Sequence, residues 1–268
     1  MHRNIYLRDI LSKPICFIVV LRIDLIKATA FMSTHEEYHK WHSPSLGRTF
    51  EMLIFGHSGQ PVILFPTSKG SYYQNKDEGM IEAASWFLEN GKVRIYCPDS
   101  IDAWSWYNKS EPPSVRAWNH NCYDQLVLTE IVARAQQETG FGRVVTAGCS
   151  FGGYHAVNFA FRHPGITSYC FSMSGAFDIK QFVDGYYDDN VYFNNPVDYL
   201  PNEENPDLWK MGIVLGTADY DICKPDNERL SSILFKKNIE HWLDVRQHAT
   251  HDWPVWREMF PHYLSLIG

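Results

Sequence analysis

The sequence lacks three features that would assign it to familiar classes of protein: a long hydrophobic run, a basic patch and closely spaced cysteines. The formal net charge is −7 with no basic cluster, whereas a nucleic-acid-binding domain carries clustered Lys and Arg. The most apolar stretch, residues 13–21, is followed at once by Arg22 and Asp24 and is too short to span a bilayer. The six cysteines are scattered without a C-x-x-C spacing, which is typical of buried free thiols. We therefore predict neither a nucleic-acid partner nor a membrane span.

Internal repeats, low-complexity segments and shifts in composition are also absent, which favours one domain over several. The 268 residues are enough for one large α/β domain. The content of 45% hydrophobic and 21% charged residues is typical of a globular protein. We assign this single domain to residues 32–268.

Residues 1–31 do not fit this domain. Basic residues, a short apolar stretch and the small residues 28–30 resemble a secretory signal peptide, but charged residues interrupt the region that should stay apolar. The sequence from Met32 onwards looks like an ordinary N-terminus. We interpret residues 1–31 as a leader or a mis-called start that is not part of the fold. The expected location is cytoplasmic, and secretion is the alternative if residues 1–30 act as a signal peptide.

One stretch has the spacing of a reactive serine. Residues 148–152 read Gly-Cys-Ser-Phe-Gly, a match to G-x-S-x-G. A β-branched run precedes the motif and a helical pattern follows it, which is the strand–turn–helix context that the motif requires. The two glycines allow neighbouring backbone to approach the strained turn closely. We predict that Ser150 is a nucleophile and that the Phe151 amide, at a helix N-terminus, forms part of an oxyanion hole.

The rest of the sequence alternates between strand-like and helix-like segments from Arg48 onwards. This order predicts a mostly parallel central sheet with helices on both faces. Residues 178–209 break the alternation and are irregular and rich in Tyr and Asp, so we interpret them as a lid-like insertion. The predicted strands are 49–55, 62–65, 93–97, 144–147, 168–173, 211–215 and 241–245, and the predicted helices are 78–89, 122–139, 153–162, 227–237 and 254–266.

A serine hydroxyl needs a base, usually a histidine that a carboxylate orients. In this architecture the base follows the last strand, where the sequence offers His248 and His251. We favour His251 because it stands directly before Asp252, a residue that can cap the closing helix and fix the direction of its neighbour.

The acid should follow the strand at 211–215. Asp219 and Asp221 both stand there, and spacing alone does not separate them. Asp226 falls near the start of a helix and is more simply a capping residue.

The second oxyanion donor should be a backbone amide just after residues 62–65. Thr67 and Ser68 are the candidates, and we favour Ser68; the alternative is an ordinary polar turn. Aromatic residues cluster at the same edge of the predicted sheet and would suit an aromatic or sugar-bearing ester, although packing of long loops explains them equally well. The candidates for substrate binding are Trp104, Trp106, Tyr72 and Tyr73.

Three segments together resemble a known family: Gly148–Ala156, Asp221–Cys223 with Asn227–Leu230, and His251–Pro254. They are similar to the putative-esterase branch of the α/β-hydrolase superfamily, which contains esterase D (S-formylglutathione hydrolase), feruloyl and acetyl-xylan esterases and mycolyltransferases. The resemblance covers roughly residues 48–265. It implies an α/β-hydrolase fold, with Asp221 as the triad acid, His251 as the base and Ser68 at the second oxyanion position. In one departure, Pro66-Thr67 replaces the His-Gly pair that frequently follows this strand.

These observations together predict a serine carboxylic ester hydrolase. It would act on a small-molecule ester through a Ser-His-Asp triad and an acyl-enzyme, with no metal or organic cofactor. One alternative is an acyltransferase that uses an alcohol or thiol acceptor, and another is a non-catalytic binding module on the same fold. A homodimer is compatible with the resemblance.

Overall fold

The alternation of strands and helices produces a single eight-stranded sheet within the described part of the chain. The structure is a computed structural model that describes residues 35–268, so the interpretation of residues 1–31 lies outside the described residues. The strands are β1 (Glu36–Ser43), β2 (Arg48–Phe55), β3 (Gln60–Phe65), β4 (Val93–Pro98), β5 (Val144–Cys149), β6 (Thr167–Met173), β7 (Gly212–Tyr220) and β8 (Trp242–Thr250).

The sheet is parallel except at one edge. Its strand order is β1-β2-β4-β3-β5-β6-β7-β8, and only the β1–β2 and β2–β4 pairs are antiparallel. The carboxyl ends of β3, β5, β6, β7 and β8 therefore meet at one edge, where loops converge to form a site.

Helices cover both faces of this sheet. They are α1 (Gln74–Asp77), α2 (Met80–Ala83), α3 (Ser85–Glu89), α4 (Pro113–Leu126), α5 (Ala133–Thr139), α6 (Phe151–Arg162), α7 (Asp189–Tyr192), α8 (Pro196–Tyr199), α9 (Lys224–Lys236) and α10 (Trp253–Leu264). A π-helical turn, Val127–Val132, joins α4 to α5. Short 3₁₀ turns lie at Pro164–Ile166, Ile179–Phe182, Leu200–Asn202 and Pro206–Lys210.

The alternation of side chains along β3 shows how the sheet divides the core. Ile63 and Phe65 pack in the same cluster as buried residues of α4, α6 and α9. Val62 and Leu64 point to the opposite face and pack with buried residues of α2 and α10. Both faces are thus covered, and the predicted α/β-hydrolase fold is confirmed.

The structure differs from the sequence-based expectations at several elements. Strand β7 continues to Tyr220 instead of ending at 215, and the helix expected at 78–89 is divided into the short helices α2 and α3. Strand β1 was not predicted, because its side chains alternate between exposed and half-buried and lack an apolar face. The helix expected from residue 122 begins at Pro113, where a proline at the first position suits a helix start. Strand β8 continues to Thr250 instead of ending near 245, because Arg246 and Thr250 still pair with Ala218 and Tyr220 of β7, on either side of a shift in register.

The segment 178–209 lies between β6 and β7 and consists of short helical turns. Three of its apolar side chains, Ile179, Val183 and Val191, are buried against Phe151 and Tyr154 of α6, whereas the aromatic side chains at 187, 193 and 209 are exposed. A role for this segment as a lid remains a prediction. The described residues belong to one compact unit, and none of their helices is long and apolar enough to cross a membrane.

Candidate active site

Ser150 stands on a strained turn between β5 and α6. Its backbone has φ 55° and ψ −123°, which a non-glycine residue rarely adopts, and its amide donates to the Met173 carbonyl at 2.8 Å. A Cβ on Gly148 would collide with the Gly152 backbone, and a Cβ on Gly152 would lie 2.5 Å from the carbonyl oxygen of Pro66. Close backbone packing on both sides therefore accounts for the two glycines of the motif.

The side chains of Ser150, His251 and Asp221 form a continuous hydrogen-bonded chain. His251 Nε2 lies 2.9 Å from Ser150 Oγ, and His251 Nδ1 lies 2.7 Å from Asp221 Oδ1. Because an ionised carboxylate only accepts hydrogen bonds, Nδ1 carries the proton of the neutral imidazole and Nε2 is free to accept the serine proton. This is the arrangement that a nucleophilic serine requires.

The Asp221 carboxylate is buried, and both of its oxygens accept hydrogen bonds. Its Oδ2 accepts from Thr217 Oγ1 at 3.0 Å, and its Oδ1 accepts from the amide of Cys223 at 2.8 Å. Burial acts to raise the pKa of Asp221, but hydrogen bonds from His251, Ser174 and the Cys223 amide outweigh it and lower the pKa below its usual value. Asp221 therefore stays ionised beside the imidazole.

Strand β8 and helix α10 hold His251 from both sides. The imidazole stands edge-on to the indole of Trp256, with ring centroids 5.0 Å apart, and Trp256 Nε1 donates to Ser174 Oγ at 2.9 Å. Asp252 is the N-cap of α10, and its side chain accepts from the Trp253 amide at 2.8 Å. The capping role expected for Asp252 thus fixes the backbone next to the imidazole.

The backbone amide of Ser68 is available at the end of β3. The amide of Thr67 donates to Gln74 Oε1 and that of Lys69 donates to Asp102 Oδ2, each at 2.9 Å. Among the described residues no acceptor faces the amide of Ser68 between them. The Ser68 side chain instead accepts from Tyr107 Oη at 2.9 Å.

The other predicted donor, the Phe151 amide, is at the first position of α6. Helical N–H groups are unpaired at that position, and the helix dipole favours an anion there. The two amides predicted to bind an oxyanion therefore lie at the carboxyl ends of the neighbouring strands β3 and β5.

The four aromatic candidates for substrate binding differ in exposure. Tyr73 is exposed and Tyr72 half-buried, with their rings in edge contact at 5.1 Å. Trp104 is half-buried beneath the guanidinium of Arg48. Trp106 is completely buried and packs against other side chains, so it offers no surface to a ligand in this structure.

Sequence reasoning missed three side chains around the oxyanion amides. Tyr107 contacts Ser68 and packs edge-on against Phe151, with ring centroids 5.5 Å apart. The only sequence signal for a role of Tyr107 was its position in a cluster of aromatic residues. Asp102 and His155 form a buried pair 2.9 Å apart. No sequence spacing links residues 102 and 155, so only the fold reveals this pair.

One group of side chains within the described residues has donor atoms suited to a metal ion. Atoms of Asp221, Cys223 and His251 all lie within 4.8 Å of one another. Burial, together with the nearby carboxylates of Asp221 and Asp226, raises the pKa of Cys223 to about 12, so its thiol is protonated at neutral pH. The same three residues include two of the predicted triad, and a metal there would compete with the triad.

The fold and the strained serine turn define an α/β-hydrolase. The chain matches the family described as "Putative esterase" over residues 41–266 and belongs to that family. The predicted resemblance is therefore confirmed, and the protein is a carboxylesterase-type hydrolase. No curated protein sequence gives a significant match.

Solved structures of esterases share the fold. A ferulic acid esterase has a TM-score of 0.71 and 14% identity, covering 87% of this chain and 98% of that one. An S-formylglutathione hydrolase from Agrobacterium tumefaciens has a TM-score of 0.68 and 14% identity, covering 88% and 97%. A ferulic acid esterase from the anaerobic fungus Anaeromyces mucronatus has a TM-score of 0.67 and 13% identity, covering 88% and 91%. At these identities the similarity is one of fold.

Proposed function

We propose that this esterase hydrolyses a small-molecule carboxylic ester through a covalent acyl-enzyme on Ser150. The observation that carries the proposal is the chain of hydrogen bonds from Ser150 Oγ through His251 to Asp221, at 2.9 and 2.7 Å. A hydroxyl becomes a useful nucleophile when a base accepts its proton during attack, and His251 Nε2 is within reach to do so.

In the first half of the reaction, Ser150 Oγ attacks the ester carbonyl carbon while its proton passes to His251 Nε2. Asp221 stabilises the imidazolium that forms. The amides of Ser68 and Phe151 donate to the carbonyl oxygen as it becomes an oxyanion. Collapse of the tetrahedral intermediate breaks the bond to the alcohol oxygen, which leaves with the proton from His251, and the acyl group remains on Ser150.

In the second half, water replaces the alcohol. His251 accepts a proton from the water as its oxygen attacks the acyl carbon, and the same two amides bind the new oxyanion. Collapse releases the carboxylic acid and returns the proton to Ser150 Oγ. No step in this scheme needs a group beyond the side chains and amides described.

Replacement of the nucleophile tests the proposal directly. Ser150→Ala in the full chain should reduce hydrolysis of p-nitrophenyl acetate by about 10⁴-fold or more. Ser168→Ala is the matched control, because the Ser168 hydroxyl donates to the Val144 carbonyl at 3.1 Å, at the end of the sheet remote from the triad. Wild-type hydrolysis in folded Ser150→Ala would contradict the proposal.

A covalent probe gives a second, independent reading. A fluorophosphonate should label the wild-type protein, and peptide mapping should place the adduct on Ser150. His251→Ala should not be labelled, because its serine has no base. A folded wild-type protein that the probe leaves unlabelled would instead support the non-catalytic binding role.

A further inference from the structure

A buried carboxylate outside the triad contacts the loop that carries one of the oxyanion amides. Asp102 is fully buried, and both of its carboxylate oxygens are used: Oδ2 accepts from the amide of Lys69 and Oδ1 lies 2.9 Å from His155 Nε2. The mechanism proposed above gives Asp102 no role. Burial of a carboxylate is unfavourable unless the carboxylate is paired and hydrogen-bonded. We therefore ask what the two contacts of Asp102 contribute to the site.

The first contact fixes the residue after Ser68. Lys69 has φ 54°, a left-handed conformation that is unfavourable for a lysine. In this conformation its amide donates to the Asp102 carboxylate, and the Thr67 amide is held on the other side by Gln74. The Ser68 amide thus lies between two fixed neighbours and takes its direction from them.

The second contact joins the same carboxylate to helix α6, which carries the other oxyanion amide. His155 stands on α6 one turn after Phe151, and the two rings are in edge contact with centroids 5.0 Å apart. Since the carboxylate only accepts, His155 Nε2 carries the proton and donates to Asp102. Asp102 therefore connects the two segments that supply the two amides.

The backbone of Asp102 adds a third link. Its carbonyl oxygen accepts from the amide of Tyr107 at 3.0 Å, and Tyr107 Oη donates to Ser68 Oγ at 2.9 Å. Ser68 is thus tied to residue 102 from both sides, through Lys69 and through Tyr107.

We infer that Asp102 is a positioning residue that sets the distance and direction of the Ser68 amide relative to that of Phe151. This inference rests on the proposed function, because it gives the two amides the role of oxyanion donors. Oxyanion stabilisation depends on donors preorganised to within about 0.5 Å, so a loosened donor lowers turnover without weakening binding of the ground state.

The test compares two Asp–His pairs in which the carboxylate is buried. Asp124 is buried and its carboxylate lies 2.9 Å from Nε2 of the half-buried His163, at the opposite end of α6 from Ser150. Asp124→Ala removes this pair, together with a contact to Arg162, far from the oxyanion amides, and should leave kcat for p-nitrophenyl acetate unchanged. Asp102→Ala should lower kcat by about tenfold to a hundredfold with little change in KM.

Asp102→Asn provides the conservative replacement. Its amide oxygen still accepts from Lys69, and its NH₂ group can donate to His155 once that ring moves its proton to Nδ1. Most of the turnover lost in Asp102→Ala should therefore return. Equal kcat values for folded Asp102→Ala and Asp124→Ala would overturn the inference, as would an Asp102→Asn variant that is folded and as slow as Asp102→Ala.

A measurement on the wild-type protein covers the case in which Asp102→Ala does not fold. In native-state hydrogen exchange the Lys69 amide should be strongly protected and the Ser68 amide should exchange quickly. Fast exchange at Lys69 would overturn the inference. Ser150→Ala is assayed in parallel. If hydrolysis does not depend on Ser150, the proposed function is wrong. If hydrolysis depends on Ser150 but not on Asp102, only the inference about Asp102 is wrong.

Discussion

The side chain of Asp219 accepts a hydrogen bond from the backbone amide of His248, at 2.9 Å. These are the two residues that the sequence offered as alternatives to Asp221 and His251, and the structure pairs them with each other. His248 has φ 56°, and the contact lies where the pairing of β7 and β8 shifts register between Ala218 and Tyr220. Asp219 therefore stabilises the irregular end of β8 that carries His251.

This pairing makes Asp219 and Asp221 a matched test of the triad acid. Asp221→Asn should reduce kcat by about 10⁴-fold, because a carboxamide no longer imposes the tautomer of His251 or stabilises the imidazolium. Asp219→Asn keeps an acceptor for the amide of His248 and should change kcat by less than about tenfold. Equal losses in the two variants, measured with p-nitrophenyl acetate, would contradict the role of Asp221.

The close approach at Gly152 predicts an effect on stability as well as on activity. Gly152→Ala places a methyl group 2.5 Å from the Pro66 carbonyl oxygen and 2.7 Å from that of Phe65, so β3 or α6 must move. We expect the free energy of unfolding to fall by about 1–3 kcal/mol, with loss of hydrolysis. Gly142→Ala is the control, since nothing lies within 4 Å of its added methyl group. Urea unfolding of both variants checks the prediction, and two equally stable variants would refute it.

The raised pKa of Asp99, the residue after β4, predicts that the stability of the protein depends on pH. Burial is the main reason that its pKa is raised to about 6, despite a hydrogen bond from the Tyr72 amide. Between about pH 4 and pH 6 the folded protein holds this proton more tightly than the unfolded chain, so the contribution of Asp99 to stability falls as the pH rises through that window.

The variant Asp99→Asn removes this loss. Because the side chain is partly exposed, we expect the variant to be more stable than the wild type at pH 8 by about 1–2 kcal/mol, with the difference vanishing below about pH 4. Thermal unfolding across this pH range measures it. Glu240→Gln, at an exposed position, should show no such trend. A wild type that is the more stable protein at pH 8 would disprove the assignment.

The metal-binding atoms of Cys223 and of two predicted triad residues, Asp221 and His251, lie close together and predict inhibition by zinc. Zn²⁺ binds sulfur, imidazole and carboxylate ligands, and Cys223, His251 and Asp221 supply one donor atom of each kind, all within 4.8 Å of one another. Binding through Cys223 requires the ion to displace the thiol proton. Zn²⁺ should inhibit hydrolysis reversibly, EDTA should restore it, and Mg²⁺ should not inhibit, because it prefers oxygen ligands. Cys223→Ala should raise the zinc concentration needed for half-inhibition, whereas Cys122→Ala should not. Unchanged inhibition in Cys223→Ala would exclude the thiol as a ligand.

Much of the fold was predictable because its central elements have simple patterns. Strands β3 and β5 are short apolar runs, and α6 follows the glycine-rich turn that its sequence predicts. Strand β1 was not predictable, since an edge strand with polar side chains on both faces has no hydrophobic period. It pairs with β2 as an antiparallel hairpin.

The candidate site was predictable where the required residue types stand in the required order along the chain. Ser150, His251 and Asp221 follow strands in the order that the fold requires, and their catalytic roles remain predictions. The apolar Ile222 beside Asp221 does not hold this loop, because its side chain is 81% exposed, and contacts with Thr217 and Cys223 hold Asp221 instead. Asp102 and His155 lie far apart in sequence, so their contact depends on tertiary packing alone.

The separation of the triad along the chain has a consequence for folding. Ser150 and His251 are 101 residues apart and join only when β8 has docked on β7. Contacts between distant segments form slowly, because the entropy of closing the intervening loop opposes them, whereas helices form quickly from local contacts. During refolding, helical circular dichroism should therefore recover before ester hydrolysis does. The appearance of turnover then marks the completion of the native structure.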